Sequence, residues 1–186
     1  MKHLTRRTVA LAALAGLALT AACGNGIGNS NGPKIDARVD ATLGHLYQKY
    51  PESREVAAKS VATLVMPVIT EAGFGLGGSY GQGALRIDGV TVDYYSATAA
   101  NVGLQIGAQQ YAHVLFFMTQ DSLERFRRNE GWAAGADVEY AFSNDGLNVR
   151  TDTNSGLSPV VAYVFAQAGA RFGATLEGLK YTRIIP

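Results

Sequence analysis

Residues 73–83 read GFGLGGSYGQG, and this stretch decides how the rest of the chain is expected to fold. Small residues occupy its alternate positions, namely Gly73, Gly75, Gly77, Ser79, Gly81 and Gly83. Successive side chains of a strand point to opposite faces, so one face of this strand is almost bare backbone. Glycine in a strand loses conformational entropy and packs nothing. The row therefore predicts structural glycines at a tight bend, at a bulge, or against a closely approaching backbone or ligand.

Two nucleotide-binding motifs match this stretch by spacing alone. Its first glycines satisfy GxGxxG, but that fingerprint requires a helix after it to receive the phosphates. Here the following residues alternate in polarity and turn at Asp88-Gly89, a signal for a type I′ hairpin. Residues 78–83 also have phosphate-loop spacing, yet Ala84 and Leu85 stand where lysine and Ser/Thr are required. Neither motif predicts a nucleotide site.

Residues 1–22 have the pattern of an export signal peptide. Basic residues precede an apolar run from Val9 to Leu19, and small residues then lead into Cys23, the only cysteine. The apolar run is shorter than the roughly 20 residues that a membrane span needs. A sole cysteine at this point resembles the lipobox of bacterial lipoproteins, whose cysteine is acylated, with palmitate among the expected acyl groups. We therefore predict lipid attachment at Cys23, with a plain secreted protein as the alternative and the export route, general secretory or twin-arginine, left open.

Residues 23–33 are predicted to be the lipidated cysteine and a flexible Gly/Asn/Ser tether. Gly24 stands where an inner-membrane retention signal would have aspartate, so the bacterial outer membrane, facing the periplasm, is the expected location. Without the leader the chain is slightly acidic, so no overall basic field recruits nucleic acid. Without a second cysteine no internal disulfide can form, and stability must come from a packed core.

Residues 34–186 are predicted to form a single domain of the α+β class. Its expected core is a large, strongly curved antiparallel sheet or barrel-like structure, with helices at the N-terminus and one inserted helix. The predicted helices are Lys34–Tyr50, Glu52–Lys59 and a segment capped by Thr119 or Asp121 that ends at Arg128. The predicted strands are Ala62–Ile69, 73–83, Leu85–Ile87, Val90–Ser96, Asn101–Gln110, a central Ala112–Met118, Ala136–Phe142, Val160–Ala166, Arg171–Leu176 and Tyr181–Ile185.

Few residues suggest catalysis or metal binding. His113 lies inside the apolar central strand, which predicts a buried, hydrogen-bonded histidine, and His45 is expected to be solvated on the first helix. Neither has a partner at a metal-ligand spacing, and no GxSxG elbow is present. Asp93 interrupts an apolar strand, which fits either a functional role or an edge position. The sequence therefore predicts no enzyme activity, no metal and no cofactor.

A few aromatic and basic residues are candidates for a binding surface. Tyr94 and Tyr95 are adjacent, so one faces each side of the sheet, although ordinary core packing explains them as well. The candidate cations are Arg86, Arg171, Lys180 and Arg183, on the hairpin and the last two predicted strands. If those strands are neighbours, the cations form a local basic patch that could meet lipid phosphates. The alternative is a solvated polar face.

From about Ala62 to its end the chain resembles the SYLF-domain family, a lipid-binding and actin-regulating module, in its bacterial lipoprotein form. Four blocks in order carry the resemblance: AGFGLGGSYGQGAL at 72–85, DYYSATAANVGLQIGAQ at 93–109, FFMTQDSLERFRRNEGWAAGAD at 116–137 and TLEGLKYTRI at 175–184. The resemblance implies a β-rich domain that binds membranes and has no enzyme activity. Eukaryotic relatives recognise phosphoinositides through basic residues and an amphipathic N-terminal helix, and some engage actin, which an exported bacterial protein is not expected to meet.

These observations predict an envelope lipoprotein whose SYLF-like domain binds phospholipid or the membrane surface. The lipid attachment site would be Cys23, and the lipid-binding candidates are Arg86, Tyr94, Tyr95, Arg171, Lys180 and Arg183. The first alternative is a non-catalytic periplasmic scaffold that binds an envelope protein or peptidoglycan. A hydrolase is a further alternative.

Overall fold

Two very long strands form the centre of the molecule. The computed structural model describes residues 31–129, 131–133, 138–142, 159–168, 176 and 178–186. Strand β1 (Ala62–Ile87) and strand β2 (Val90–Phe117) pair antiparallel along their whole length. The turn between them has positive φ at both central residues, 51° at Asp88 and 78° at Gly89, as a type I′ hairpin requires. Asp88-Gly89 therefore makes the predicted hairpin.

The sequence divided these two strands into six shorter ones, and that division is wrong. Three register shifts allow the ribbon to bend while its pairing continues, between Met66 and Ile69, between Phe74 and Leu76, and between Leu85 and Arg86. Pro67, which cannot donate a backbone hydrogen bond, lies in the first shift. The glycine and proline residues that suggested strand ends in the sequence therefore mark bends in continuous strands.

The glycine row faces the backbone of the first half of β1. An added Cβ at Gly77 would lie 2.8 Å from the carbonyl oxygen of Ala72. Added Cβ atoms at Gly81 and Gly83 would come closer still to the carbonyl oxygens of residues 68 and 65, nearer than real Cβ atoms approach other atoms. Of the other predicted structural glycines, Gly73 pairs with Gly107, and Gly75 lies within the second register shift. The glycine face therefore packs directly against the backbone of the first half of the same strand.

The described sheet has six strands and confirms the α+β class with a curved sheet. The remaining strands are β3 (Trp132–Ala133), β4 (Val138–Phe142), β5 (Val160–Ala168) and β6 (Lys180–Ile184). The order is β3-β6-β2-β5-β4, with β1 also paired to β2. All pairings are antiparallel except that of β4 with β5, which is parallel. The stretch predicted as a strand at Arg171–Leu176 lies outside the described residues except for Leu176, which is buried.

Strand β2 is central because its two halves have different neighbours. Residues 110–117 lie between β1 and β5, as predicted for Ala112–Met118. Residues 94–98 lie between β1 and β6. Strand β2 therefore pairs with β5 through one half and with β6 through the other.

Helices cover the two faces of this sheet. Helix α1 (Gly32–Lys49), followed by the short α2 (Ser53–Lys59), places the apolar stripe Ile35, Val39 and Leu46 on a cluster that includes Val65 and Phe116. Helix α3 (Gln120–Arg128) places Leu123 and Phe126 on the opposite cluster, with Tyr95, Phe117 and Tyr181. Each helix buries the stripe that its sequence period predicts.

The N-terminus of α3 is capped by Thr119, one of the two predicted caps. The Ser122 amide donates a hydrogen bond to its side-chain oxygen over 3.2 Å. Asp121, the other predicted cap, lies in the first turn of the helix instead. Its carboxylate and that of Glu124 form ion pairs with arginines four residues later, Asp121–Arg125 and Glu124–Arg128.

We expect Gly83→Ala to destabilise the domain by more than about 2 kcal/mol, because its methyl group would overlap the Val65 carbonyl and force the two passes of β1 apart. Gly44→Ala is the matched control. An added Cβ there meets nothing within 4 Å on α1, so helix propensity predicts up to about 1 kcal/mol of stabilisation. Urea denaturation of both variants measures the difference. Equal midpoints for Gly83→Ala and the wild type would show that the glycine face is open.

Candidate functional site

Arg86, a predicted lipid-binding residue, contacts helix α1. Its guanidinium lies 2.6 Å from the carboxylate of Asp40, and its Nε donates to the Thr91 hydroxyl over 3.4 Å. The Arg86 side chain is only 14% exposed. A guanidinium held in this way is already neutralised by the protein, so Arg86 acts first as a clamp between the hairpin and α1.

Tyr94 makes a parallel contact one turn earlier in the same helix. Its hydroxyl donates to Asp36 over 2.8 Å, and the Thr91 hydroxyl donates to the other oxygen of that carboxylate over 2.8 Å. Desolvation and then this hydrogen bond raise the pKa of the Tyr94 phenol. Asp36 and Asp40 therefore fasten α1 to the hairpin through three side chains of the ribbon.

Tyr95 faces the other side of the sheet, as the alternation of β2 requires. Its side chain is 3% exposed, and its ring lies 4.8 Å from that of Phe126 on α3. Burial, and then the charge of Asp93, raise the pKa of its hydroxyl. Tyr95 is a core residue in this structure, which agrees with the alternative considered for the aromatic pair.

Asp93 joins three elements on the α3 side of the sheet. Its carboxylate, 12% exposed, lies 3.1 Å from the guanidinium of Arg127 on α3 and 3.5 Å from that of Arg183 on β6. A carboxylate shielded from water is stabilised by such neighbours, so Asp93 has a structural reason to interrupt the apolar strand. The sequence did not indicate Arg127 as its partner, since α3 lies 34 residues further along the chain.

The predicted cations are not brought together on one face. Arg86 lies on the α1 side of the sheet, whereas Arg183 lies on the α3 side. Lys180 is exposed at the start of β6, where it pairs with Thr98 and Ala133. Arg171 and the predicted acylation site Cys23 lie outside the described residues. The single basic patch that was predicted to include Arg86, Lys180 and Arg183 is therefore divided between the two faces of the sheet.

Exposed aliphatic side chains gather where the ribbon turns. Val90, directly after the turn, is 65% exposed, Val92 is 42% exposed and Ile185, directly after β6, is 88% exposed. Tyr94 pairs with Ile184, so Ile185 emerges beside the segment of β2 that contains Val92. Sequence reasoning missed this group, because the valines fit a buried strand and only the pairing of β6 with β2 brings Ile185 to them.

A small cavity lies between α1 and β1. Its volume is about 180 Å³, and its polar and aromatic lining includes Arg38, Thr70, Tyr80 and Gln82. The ring of Tyr80 is 54% exposed. The cavity has room for a small polar group, but it is separate from the predicted lipid-binding residues.

His113 is buried in the centre of β2. It has no exposed surface, and a hydrogen bond of 2.8 Å joins its Nε2 to the hydroxyl of Tyr181. Its Nδ1 has no hydrogen-bond partner among the described residues. Burial lowers the pKa of this imidazole from 6.5 to about 3. His113 is thus a neutral core residue, and His45 is exposed on α1.

In the part of the chain that the structure describes, no group of three or more His, Cys, Asp or Glu side chains is arranged to hold a metal ion. None of the helices in that part combines the length and the apolarity that a membrane crossing requires.

Residues 98–183 match the family model described as Ysc84, Las17-binding protein actin regulator, which is the SYLF domain. The SYLF-domain resemblance is confirmed over this segment. It runs from the middle of β2 through α3 to β6, and it therefore includes His113, Arg127, Lys180 and Arg183. The SYLF family is associated with lipid binding and actin regulation. No curated protein matches the chain.

The buried imidazole predicts a loss of stability in acid. Below its ordinary pKa of 6.5 the unfolded chain binds a proton at His113, whereas the folded chain does not until about pH 3. Stability from this group is therefore complete above 6.5 and decreases as the pH falls through that window. At about pH 5 the loss should be about 2 kcal/mol relative to about pH 7.5.

Urea denaturation at these two pH values tests this expectation on three proteins. His113→Gln should lose about 2 kcal/mol less than the wild type on acidification, because it has no proton to bind. His45→Gln, at the exposed histidine of α1, is the control for the substitution itself. A His113→Gln variant as acid-sensitive as the wild type would contradict the assignment.

Proposed function

We propose that this protein is a non-catalytic envelope lipoprotein, anchored in the outer membrane through an acylated Cys23, whose SYLF-like domain binds phospholipid. The observation that carries the proposal is the family match over residues 98–183, because the family is associated with lipid binding. Actin regulation is the other association of the family. It would require actin as a partner, which an exported bacterial protein does not meet.

The N-terminal sequence supports the anchoring part of the proposal. Basic residues, an apolar run and small residues precede the sole cysteine, in the order that bacterial lipoproteins require. A lipobox cysteine is diacylated, and two acyl chains are enough for stable attachment. Contact between the domain and phospholipid would then add to the anchor.

The charges on the domain support local rather than overall attraction to lipid. Lys180 is exposed, and the side chain of Arg183 is 68% exposed although it is paired with Asp93. An unpaired cation near an anionic leaflet contributes about 1 kcal/mol. A cation that already has a carboxylate partner contributes less, so salt should weaken binding only moderately.

A periplasmic scaffold is the second candidate, and one observation favours it. The cavity between α1 and β1 presents the Arg38 guanidinium, the half-exposed ring of Tyr80 and the amide of Gln82 together. Aromatic and polar groups of this kind can contact a small part of a sugar or peptide such as those of peptidoglycan, which is as much as a cavity of about 180 Å³ admits. Under this alternative lipid would be contacted only through the anchor.

The anchor is tested by metabolic labelling. Cells that produce the wild-type protein should incorporate radiolabelled palmitate into it, and Cys23→Ser should remove the label, since the chain has no other cysteine to acylate. Serine is close to cysteine in size, so the variant should still be produced and detected by antibody. Loss of the label from a protein that is still detected can then be assigned to loss of acylation. Labelling of Cys23→Ser at the wild-type level would rule out this attachment site.

Lipid binding by the domain is tested by vesicle flotation of the mature chain, residues 23–186, carrying Cys23→Ser. We expect the chain to float with phosphatidylethanolamine and phosphatidylglycerol vesicles. Replacing both Lys180 and Arg183 with serine should weaken partitioning by less than the roughly 30-fold that two unpaired cations would cost. A chain that floats with no vesicle but is retained by peptidoglycan or an envelope protein would favour the scaffold instead.

A further inference from the structure

The exposed aliphatic residues Val90, Val92 and Ile185 form what we call the hairpin-end patch. Together with Tyr80 they are the exposed large hydrophobic side chains among the residues whose burial the structure describes, a set that leaves out 74–76, 101–107, 138–142 and 166–168. Three exposed aliphatic side chains at one end of a sheet indicate a surface that can meet an apolar partner.

The chain enters the domain at the same end. An added Cβ at Gly32, the first residue of α1, would lie 2.9 Å from the Tyr94 hydroxyl and 3.7 Å from Cγ of Pro186. Tyr94 lies two residues after Val92 in β2, and Pro186 directly follows Ile185. The start of α1 is therefore adjacent to the hairpin-end patch.

The length of the tether relates this end to the membrane. Eight residues lie between Cys23 and Gly32, and a Gly-rich chain of that length spans roughly 16 Å on average. An acylated Cys23 would therefore hold the hairpin end of the domain, rather than its opposite end, close to the bilayer.

The charges beside the patch fit a phospholipid surface. Arg183 lies two residues before Ile185, and its guanidinium shares the carboxylate of Asp93 with that of Arg127. One carboxylate cannot neutralise two guanidiniums, so these three side chains carry a net positive charge beside Ile185, while the exposed Asp88 places a negative charge at the turn. The side chains of Arg127 and Arg183 are 43% and 68% exposed, so both can reach lipid phosphates.

We propose that the hairpin-end patch is the membrane-contacting face of the domain. Val90, Val92 and Ile185 enter the boundary between headgroups and acyl chains, and Arg127 and Arg183 bind phosphates at the headgroup level. The inference rests on the proposed function, because it assigns a face to the lipid binding proposed there. The occupant is a phospholipid bilayer, and the contact combines apolar burial with two partly neutralised cations.

The test uses single cysteines in the mature chain carrying Cys23→Ser, which then has no other thiol. Val90→Cys and Ile185→Cys carry an environment-sensitive fluorophore at the patch. Tyr80→Cys carries the same fluorophore at an exposed apolar site on another part of the surface. All three positions are solvent-exposed, so labelling should leave the fold intact. Each chain is titrated with phosphatidylethanolamine and phosphatidylglycerol vesicles, some containing nitroxide-labelled lipid.

We expect a blue shift and nitroxide quenching at positions 90 and 185 and neither at position 80. In flotation of the unlabelled chain, Val90→Ser combined with Ile185→Ser should weaken partitioning at least about tenfold, because two aliphatic side chains no longer leave water. Tyr80→Ser is the control and should partition like the wild type.

The other outcomes separate this inference from the proposed function. A chain that floats while only the probe at position 80 responds, or while no probe does, overturns the face and leaves lipid binding standing. A chain that does not float overturns both. A blue shift at 90 and 185 that appears without vesicles and grows with protein concentration would assign the patch to a second copy of the chain, and it would also overturn the proposal.

Discussion

The fold depends on a backbone-to-backbone contact within one strand. As the chain runs from Gly77 to Gly83, the residue that it meets in the first half of β1 moves back from Ala72 to Val65. The two halves therefore cross in opposite directions at a separation that only bare backbone permits. Sheets that carry side chains on both facing surfaces stack about 10 Å apart. The glycine row removes one layer of side chains, and the ribbon can then curl enough for β5 and β6 to pair with different halves of β2.

The curled ribbon uses its polar residues to hold α1. Asp36 and Asp40 accept contacts from Tyr94, Thr91 and Arg86, while the apolar stripe of the helix is buried on the sheet. An amphipathic helix in this position cannot also place its apolar stripe in a bilayer without leaving the sheet and exposing that cluster. Within the described residues α1 therefore serves as part of the core, and its apolar stripe is not available to a lipid surface.

Local sequence patterns predicted much of the fold but little of the candidate site. The period of α1, the Asp88-Gly89 turn, the Thr119 cap and the central position of Ala112–Met118 all follow from residues close together in sequence. The continuity of β1 and β2 does not, because a register shift and a loop have the same glycine and proline signals. The partners of Arg86, Asp93 and Arg183 lie between 34 and 90 residues away, so charge pairing that decides whether a cation is available was invisible in the sequence.

The ion pairs of Asp93 with Arg127 and Arg183 limit the electrostatic part of any membrane contact. By holding Arg127 and Arg183, Asp93 joins β2, α3 and β6, and in doing so it removes about half of the charge that the two arginines would offer to an anionic surface. Arg86 is neutralised by Asp40 on the other face. With Arg86, Arg127 and Arg183 paired in this way, these three cations gain little from electrostatic attraction alone, whereas exposed aliphatic side chains keep their full gain on leaving water. Contact led by apolar burial and assisted by a small local charge is therefore the mode that this arrangement of residues favours.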